Sequence, residues 1–283
     1  MKNLGYYNGA VGLIEQMVIP MGDRACYFGD GLFEVTYTKN HIPYSLEEHM
    51  DRLYASAKEL DIRIPLSKEE FGDLIRALIR RVDADEQWVY WQVSRGTEIR
   101  DYPPKDHLTA NVSVMLRPMS IKNSYIPMRA VTMEDRRGLY CHMKTLNVLP
   151  AVMASAEVSA KGVDEGILHR NGRVTECIHA NLSILRSDGV LQTAPADRMI
   201  LAGVARGHLI ALAKRMGIPV EETPFTVEEM MAADEIIVTS SGTLCRPICE
   251  IDGLPVGGKA PELLKALQDT LTSDFLKACA SEQ

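Results

Sequence analysis

The chain has 283 residues, of which 46% are hydrophobic and 24% are charged, and its formal net charge at pH 7 is −7. This composition is typical of a globular protein, and the length is sufficient for two domains with hydrophobic cores, which argues against an intrinsically disordered chain. The negative charge argues against nucleic acid or an anionic membrane as the main partner.

The first part of the chain is predicted to mix strands with two amphipathic helices. Ser45 with Glu48, and Ser67 with Glu70, have the spacing of a capping box, and each pair precedes apolar residues at helical spacing. β-rich runs bounded by turn residues predict three strands, which are Leu32–Tyr37, Trp88–Ser94 and Asn111–Leu116.

The second part is predicted to begin after a short connector at 119–122 and to be richer in strands. Its predicted strands are Ala130–Met133, Gly166–Arg170, Arg173–Glu176, Ala180–Leu185, Val190–Thr193 and Glu235–Thr239. Its predicted helices are one that follows Lys144 and ends at Gly162, one at Val204–Met216, and one from Pro261 onward. Strands in both parts, with helices at irregular intervals, predict an α+β fold with domains at 1–118 and 123–283.

The cysteines and the apolar segments indicate the cellular compartment of the protein. The six cysteines form no CxxC pair and have no nearby histidines at zinc-site spacing, so we expect reduced thiols, no metal site and a cytoplasmic protein. The N-terminus has no apolar run typical of a signal peptide. No apolar stretch reaches the roughly 18 residues that a membrane span needs, so no membrane partner is predicted.

Lys144 and Glu176 are the first candidates for chemistry. Lys144 has apolar or small neighbours, and a lysine in such surroundings becomes a nucleophile when burial lowers its pKa. Glu176 follows the Asn171-Gly172 turn and can pair with a protonated ring nitrogen. A Schiff-base amine and such a carboxylate are what pyridoxal 5′-phosphate requires. Taken singly, a solvated surface lysine and an ordinary strand-end glutamate remain the alternatives.

Two segments and one arginine are candidates for binding the phosphate of that cofactor. Leu201-Ala202-Gly203 opens a helix, whose first-turn amides and positive dipole end suit an anion. Ser240-Ser241 follows a buried strand and offers hydroxyl and N–H groups. Arg52 lies beside the apolar stripe of its helix and can add a charged donor. The alternatives are an ordinary helix start, a polar loop and a surface arginine.

Together these motifs make the chain resemble the fold-type IV pyridoxal phosphate enzymes, most closely the bacterial D-amino acid aminotransferases. The similarity runs almost end to end and implies a small α/β sandwich-like N-terminal domain and a larger C-terminal domain with a barrel-like β core. The stretches that carry it are Asp23-Arg24, Phe28-Gly29-Asp30-Gly31, Glu34-Val35, the run from Glu48 to Ala57, Arg95-Gly96-Thr97 with Arg100, Lys144-Thr145-Leu146-Asn147, the run from Ile167 to Asn171, Val174-Thr175-Glu176, Leu201 with Gly203 and Arg206, and Val238-Thr239-Ser240.

The resemblance implies a role for each site residue. It makes Lys144 the Schiff-base lysine that moves the proton between the substrate α-carbon and C4′ of the cofactor, and it makes Glu176 the partner of the pyridine nitrogen. Arg100 is implied to reach the substrate carboxylate from the partner subunit, so a homodimer with shared sites is expected. The implied cofactor contacts are Arg52, Leu201 against the ring, Gly203, the amides of Val204 and Ala205, and Ser240 with Ser241.

Three single positions and one run of four residues depart from the pattern of that family. Phe33 replaces a tyrosine and lacks its hydroxyl, whereas Tyr102 replaces a histidine and can still donate a hydrogen bond. Ala205 replaces a threonine, and the lost hydroxyl costs on the order of 1 kcal/mol if nothing replaces it. Cys177-Ile178-His179-Ala180 replaces a run of small residues, so that His179 is expected either to contact the substrate or to point into the core.

The leading hypothesis is a ping-pong aminotransferase that moves an amino group from D-alanine, D-glutamate or D-aspartate to pyruvate or 2-oxoglutarate. A lyase like 4-amino-4-deoxychorismate lyase is an alternative that Phe33 favours, although Glu34-Val35 stands where those lyases have paired threonines. A branched-chain L-aminotransferase also tolerates Phe33 next to Glu34. A protein that holds the cofactor with little turnover is a third alternative, which Ala205 and the altered run after Glu176 motivate.

Overall fold

The computed structural model describes residues 1–280, which fall into two compact units. Unit 1 comprises Met1–Ile121, Met143–Asn147 and the described residues from Leu276, whereas unit 2 comprises Lys122–His142 and Val148–Phe275. The division into domains at 1–118 and 123–283, with a loop at 119–122, stays a prediction.

Unit 1 is an antiparallel sheet with two long helices packed on one face. The strands lie in the order β2-β1-β6-β5-β3-β4. Its elements are β1 (Leu4–Tyr7), β2 (Ala10–Gly12), a short 3-10 helix (Ile14–Gln16), α1 (Arg24–Phe28), β3 (Gly31–Lys39), β4 (Ile42–Pro43), α2 (Leu46–Glu59), α3 (Lys68–Ile79), β5 (Gln87–Ser94) and β6 (Asn111–Pro118). Alternate residues of β3, β5 and β6, such as Leu32, Trp91 and Val114, pack against Met50 of α2 and Ile75 of α3 in one core.

One of the two predicted capping boxes is present. Ser67 Oγ accepts from Glu70 N at 3.1 Å, and Glu70 Oε2 accepts from Ser67 N at 2.8 Å. The box predicted at Ser45 and Glu48 is wrong, because Ser45 has a left-handed backbone (φ 53°) and makes no side-chain capping bond. An N-cap side chain reaches the first-turn amides from an extended backbone, which Ser45 does not have.

Unit 2 is built around a nine-stranded mixed sheet that curls into a half barrel. The strand order is β12-β11-β10-β13-β14-β7-β8-β9, and the short strand β15 pairs with the end of β14 in an antiparallel manner. Its elements are β7 (Met128–Glu134), α4 (Leu149–Ala160), β8 (Glu165–Arg170), β9 (Arg173–Cys177), β10 (Asn181–Leu185), β11 (Leu191–Thr193), α5 (Val204–Arg215), β12 (Val220–Glu222), α6 (Val227–Ala232), β13 (Glu235–Thr239), β14 (Arg246–Ile251), β15 (Leu254–Pro255) and α7 (Pro261–Ala278). The predicted α+β class with a barrel-like β core is confirmed.

Local sequence signals account for several elements of unit 2. Asn171 and Gly172 both have positive φ (50° and 81°), as a type I′ turn between β8 and β9 requires. Gly162, just past α4, has φ 67° and ends the helix as expected. The helix predicted after Lys144 begins only at Leu149, because the intervening residues pair with β3 in unit 1.

Two further features follow from the described part of the chain. None of the helices within residues 1–280 is both long enough and apolar enough to cross a membrane. All six cysteines carry free thiols, and Cys177, Cys245 and Cys279 are buried.

Candidate active site

Backbone hydrogen bonds fix the segment that carries Lys144. Lys144 O accepts from Phe33 N at 2.9 Å, and Leu146 N donates to Gly31 O at 3.0 Å, so that residues 144–146 run beside the start of β3 like a short strand. This pairing places Lys144 Nζ 4.4 Å from the centre of the Phe33 ring. The ammonium group therefore lies over an aromatic face, in a position that the main chain determines.

Aromatic side chains continue from Phe33 across the same face of the sheet. The Phe33 and Tyr90 rings stack with centroids 5.5 Å apart, and Tyr90 stacks on Trp88 at 5.4 Å. Tyr90 donates its hydroxyl to Gln92 Oε1 at 2.6 Å, and burial raises the pKa of this phenol. Lys144 therefore lies beside a mainly apolar aromatic surface.

The opposite face of β3 carries a buried carboxylate, Glu34, which is 1% exposed. Arg52 Nε and Nη2 donate to its two oxygens at 2.7 and 2.6 Å, and His49 Nδ1 lies 2.8 Å from Oε2. Burial alone raises the pKa of Glu34, but Arg52 and His49 outweigh it and lower the pKa to about 2. Arg52 is thus oriented by Glu34, and its role toward a phosphate stays a prediction.

Sequence reasoning missed the contact of Glu34 with Arg52, although a signal for it was present. Glu34 occupies the buried register of a strand, between Leu32 and Thr36. A buried carboxylate requires a partner, and His49 and Arg52 lie three residues apart on α2, so that they share one helix face.

Arg100 lies on an irregular segment of unit 1 between aromatic rings. Its guanidinium carbon is 4.9 Å from the centre of the Phe28 ring and 5.5 Å from that of Tyr102, which is 74% exposed. Among residues 1–280 Arg100 forms no salt bridge. A guanidinium that is stacked and not neutralised is suited to bind a carboxylate.

In unit 2, Glu176 lies at the end of β9 and is only 5% exposed. Arg137 Nη1 donates to its Oε1, Asn181 Nδ2 donates to Oε2 at 2.9 Å, and Leu201 N lies 3.2 Å from Oε2. Donors from three different segments hold the carboxylate and fix its orientation, and its role toward a ring nitrogen stays a prediction.

Arg137 binds both Glu176 and Asp135, and neither Arg137 nor Asp135 was identified from the sequence. Arg137 Nη2 and Asp135 Oδ2 are 2.9 Å apart. Burial alone lowers the pKa of Arg137, but the hydrogen bond to Asp135 and the charge of Glu176 raise it above its usual range. Burial alone raises the pKa of Asp135, whereas Arg137 lowers it to about 2. Arg137 follows other charged residues in a loop, and nothing in the sequence distinguishes it from a surface arginine.

The start of α5 is shaped by Gly203, its N-cap residue, at φ −68°. A Cβ atom at Gly203 would lie 2.0 Å from Asn181 Oδ1. Asn181 also donates to Leu201 O at 2.8 Å, so the glycine makes room for the side chain that links Glu176 to Leu201. The amides of the first turn, which include those of Val204 and Ala205, have no acceptor within the helix and are therefore suited to bind an anion.

The loop after β13 folds into a tight turn around Ser240. Ser240 O accepts from Thr243 N at 3.2 Å and from Leu244 N at 2.9 Å, and Ser240 Oγ lies 2.9 Å from Thr243 Oγ1. Leu244 is buried and has φ 53°, a left-handed conformation that is unfavourable for a branched side chain. The turn is thus held in a strained conformation, and Ser240 and Ser241 lie at its start.

His179 lies in the altered run after Glu176 and is exposed to solvent. Its Nε2 is 2.9 Å from Ser155 Oγ of α4, and that hydroxyl donates to Ala151 O at 2.8 Å. Because a hydroxyl has one hydrogen, the imidazole is the donor in this contact. The expectation that His179 points into the core is wrong, because its side chain is exposed, whereas those of its neighbours Cys177 and Ile178 are buried. A contact with substrate stays a prediction.

The chain is similar to known proteins along most of its length. A family model described as amino-transferase class IV matches residues 31–251. A D-alanine aminotransferase of Listeria monocytogenes is 37% identical over 273 residues, covering 94% of this chain and 93% of that protein. A putative branched-chain-amino-acid aminotransferase of Methanocaldococcus jannaschii is 33% identical over 270 residues, covering 93% of each. The crystal structure of a branched-chain aminotransferase from Thermoproteus uzoniensis with norvaline superimposes with a TM-score of 0.89 at 26% identity, covering 97% of this chain and 95% of that one.

Proposed function

The chain belongs to the class IV aminotransferases, and from that premise we propose that it moves an amino group between a D-amino acid and a 2-oxo acid, with pyridoxal 5′-phosphate as cofactor. D-alanine, D-glutamate or D-aspartate is the donor, and pyruvate or 2-oxoglutarate is the acceptor. The observation that carries the proposal is the position of Lys144, which main-chain pairing with β3 holds over the Phe33 ring. The similarity to the D-alanine aminotransferase of Listeria supports the D-amino acid.

The donor and acceptor groups of the chain fit this cofactor. The Glu176 carboxylate, fixed by Arg137 and Asn181, is an acceptor for a protonated pyridine nitrogen. The first-turn amides of α5 and the hydroxyls of Ser240 and Ser241 suit a phosphate, and Leu201 supplies an apolar contact for the ring. When bound, pyridoxal phosphate supplies an electron sink for the substrate α-carbanion.

Lys144 is the group that we propose holds the cofactor covalently and moves the proton. Lys144 would hold the cofactor, and its amine, once released, would accept a proton from the substrate α-carbon as a base and give it up again as an acid. Because the main chain of Lys144 and Leu146 is hydrogen-bonded to β3, the amine can move only by rotation about the bonds of the lysine side chain. Phe33 forms an apolar wall beneath it.

Arg100 is the group that we propose binds the substrate carboxylate, from the partner subunit of a homodimer. It has no salt bridge within residues 1–280 and lies against Phe28 and Tyr102, so its orientation is restrained while its charge is available. Glu98 N donates to Gly22 O at 3.0 Å, which brings together segments with the exposed side chains Met21 (93%) and Ile99 (88%). Exposed apolar side chains next to Arg100 support a surface that a second subunit covers.

A branched-chain L-aminotransferase is the second candidate. The stacked rings of Phe33, Tyr90 and Trp88 favour a substrate with an apolar side chain. The similarity to the Methanocaldococcus protein supports the same alternative.

The test is the absorption of the cofactor in purified holoenzyme, to which single amino acids are added without a 2-oxo acid. We expect D-alanine to bleach the band of the bound cofactor and to release pyruvate, whereas L-alanine and L-leucine do neither. Lys144→Ala is expected to abolish both effects, and Lys161→Ala, which removes an exposed lysine, is the matched control. Bleaching by L-leucine alone would favour the second candidate. No response to D-amino acids would contradict the proposal.

A further inference from the structure

A buried arginine, Arg24, holds the backbone on the C-terminal side of Arg100. Arg24 is 3% exposed, and its guanidinium Nη1 and Nη2 donate to Asp101 O at 2.8 Å and Tyr102 O at 3.0 Å. The same group binds Glu98 Oε1 at 2.6 Å, two residues before Arg100. One guanidinium therefore contacts the chain on both sides of Arg100.

The segment that Arg24 holds has no regular secondary structure of its own. Residues 98–102 lie outside every strand and helix, so their conformation depends on individual hydrogen bonds, which are the backbone bond from Glu98 N to Gly22 O and the bonds from side chains to their carbonyl groups. Tyr27 contributes to the same anchoring, because its hydroxyl lies 2.8 Å from Glu98 O and 3.1 Å from Gly22 O. Asp30 Oδ2 accepts from Arg24 Nε at 2.7 Å and fixes the anchoring guanidinium itself.

Arg24 and Arg100 also share an aromatic ring. Each guanidinium carbon lies 4.9 Å from the centre of Phe28. Asp30 and Glu98 neutralise Arg24, whereas Arg100 forms no salt bridge in the described part of the chain. Arg24 is therefore neutralised by carboxylates of the protein, whereas the charge of Arg100 is available to bind an anion.

We propose that Arg24 is a positioning residue for Arg100: it fixes the carbonyl groups of Asp101 and Tyr102, and so sets the direction in which the Arg100 guanidinium meets a substrate carboxylate. This inference rests on the proposed role of Arg100. The anchoring requires the planar guanidinium group of an arginine, because a lysine ammonium cannot bind the two carbonyl groups and the two carboxylates in the same geometry.

The test is a double-mutant cycle between Arg24→Lys and Arg100→Ala in the holoenzyme. We expect Arg24→Lys to raise KM for the donor amino acid about tenfold to a hundredfold, with a smaller change in kcat, because the carboxylate contact is misplaced. In the Arg100→Ala background the same change is expected to have no further effect. Calorimetric titration with propionate, a carboxylate that cannot react, is expected to show the same pattern in Kd without any turnover.

Arg95→Lys is the matched control. Arg95 also binds Asp30, at 2.9 Å, but its Nη1 donates to Leu60 O and Asp61 O and not to the segment that follows Arg100. This variant is expected to change KM and the propionate Kd much less than Arg24→Lys does, because a lysine at position 95 can still pair with Asp30 while Arg24 keeps its own contacts with residues 98–102. If Arg24→Lys does not fold, Tyr27→Phe loosens the same segment by one hydroxyl and is expected to raise both constants by a smaller factor.

The outcomes separate this inference from the proposed function. An equal effect of Arg24→Lys with and without Arg100 would overturn the inference, because Arg24 would then act elsewhere. An unchanged propionate Kd in Arg24→Lys would also overturn it. A wild-type protein that binds propionate through Arg100 but transaminates no amino acid would contradict the proposed function and leave the positioning role supported.

Discussion

Gly203→Ala is expected to disturb the site through one atom. The backbone at Gly203 has φ −68°, which alanine adopts without strain, so only the new Cβ matters. That atom would lie 2.0 Å from Asn181 Oδ1, well inside any real contact distance. Asn181 is 4% exposed and must shift within a packed interior. We expect it to leave its positions on Glu176 and Leu201.

The size of the effect follows from the two bonds that Asn181 makes. The bond to the Glu176 carboxylate is charge-assisted and is worth about 1.5–3 kcal/mol, and the bond to Leu201 O is worth about 0.5–1.5 kcal/mol. Loss of both is expected to lower the free energy of unfolding by about 2–4.5 kcal/mol. Gly207→Ala in the same helix is the control, because a Cβ there meets nothing within 4 Å. It is expected to stabilise the protein by about 0.5–1 kcal/mol through helix propensity.

Equilibrium unfolding of the cofactor-free protein in urea measures the free energy of unfolding of both variants. Retention of the proposed cofactor, pyridoxal phosphate, on gel filtration shows whether Glu176 still binds it. We expect Gly203→Ala to unfold at lower urea and to lose cofactor, and Gly207→Ala to do neither. Equal unfolding midpoints for Gly203→Ala and the wild type would contradict the expected loss of stability, because Asn181 would then have moved at no cost.

Three further predictions concern buried charges. The pKa of Glu34 is lowered from 4.5 to about 2, and that of Asp135 from 3.8 to about 2. Both carboxylates therefore contribute fully to stability above about pH 4.5, and this contribution is lost as the pH falls toward 2. The urea midpoint of unfolding is expected to fall across the same pH range. Burial raises the pKa of Glu165 to about 7 from 4.5, so its contribution is complete below about pH 4.5 and is lost as the pH rises through 7. Glu165→Gln is expected to remove that decline, and an unchanged pH profile would show that the decline has another source. Arg137→Met removes the cation that the buried carboxylates of Glu176 and Asp135 share, although Asp135 keeps Arg170 at 3.1 Å. It is expected to lower the free energy of unfolding by about 3–5 kcal/mol, whereas a loss below about 1 kcal/mol would show that the remaining partners suffice.

Features that depend on neighbouring residues could be predicted from the sequence. The Asn171-Gly172 turn, the capping box at Ser67 and the buried strand Glu235–Thr239 each follow from local backbone preferences or from a short apolar run. The resemblance of the motifs to a known family identified the fold class for the same reason, since those motifs are short runs of adjacent residues.

Features that depend on distant residues could not be predicted in this way. Residues 144–146 pair with residues 31–33, more than a hundred positions earlier, through main-chain groups that every residue has. Arg137 reaches Glu176 from a loop whose course no periodic pattern describes. Ser45 shows the converse case, in which a correct local pattern is overridden by a left-handed turn.

The position of Lys144 in the chain bears on how such proteins can exchange parts during evolution. The lysine is encoded between two stretches of unit 2, but its segment Met143–Asn147 belongs to unit 1. A recombination event at residues 119–122 would therefore take Phe33 from one parent and Lys144 from the other. The main-chain pairing with β3 would survive, because it does not depend on side chains, whereas the ring beneath the amine would be inherited separately. If Lys144 has the role proposed for it, a single crossover at this connector cannot transfer the lysine together with the ring beneath it.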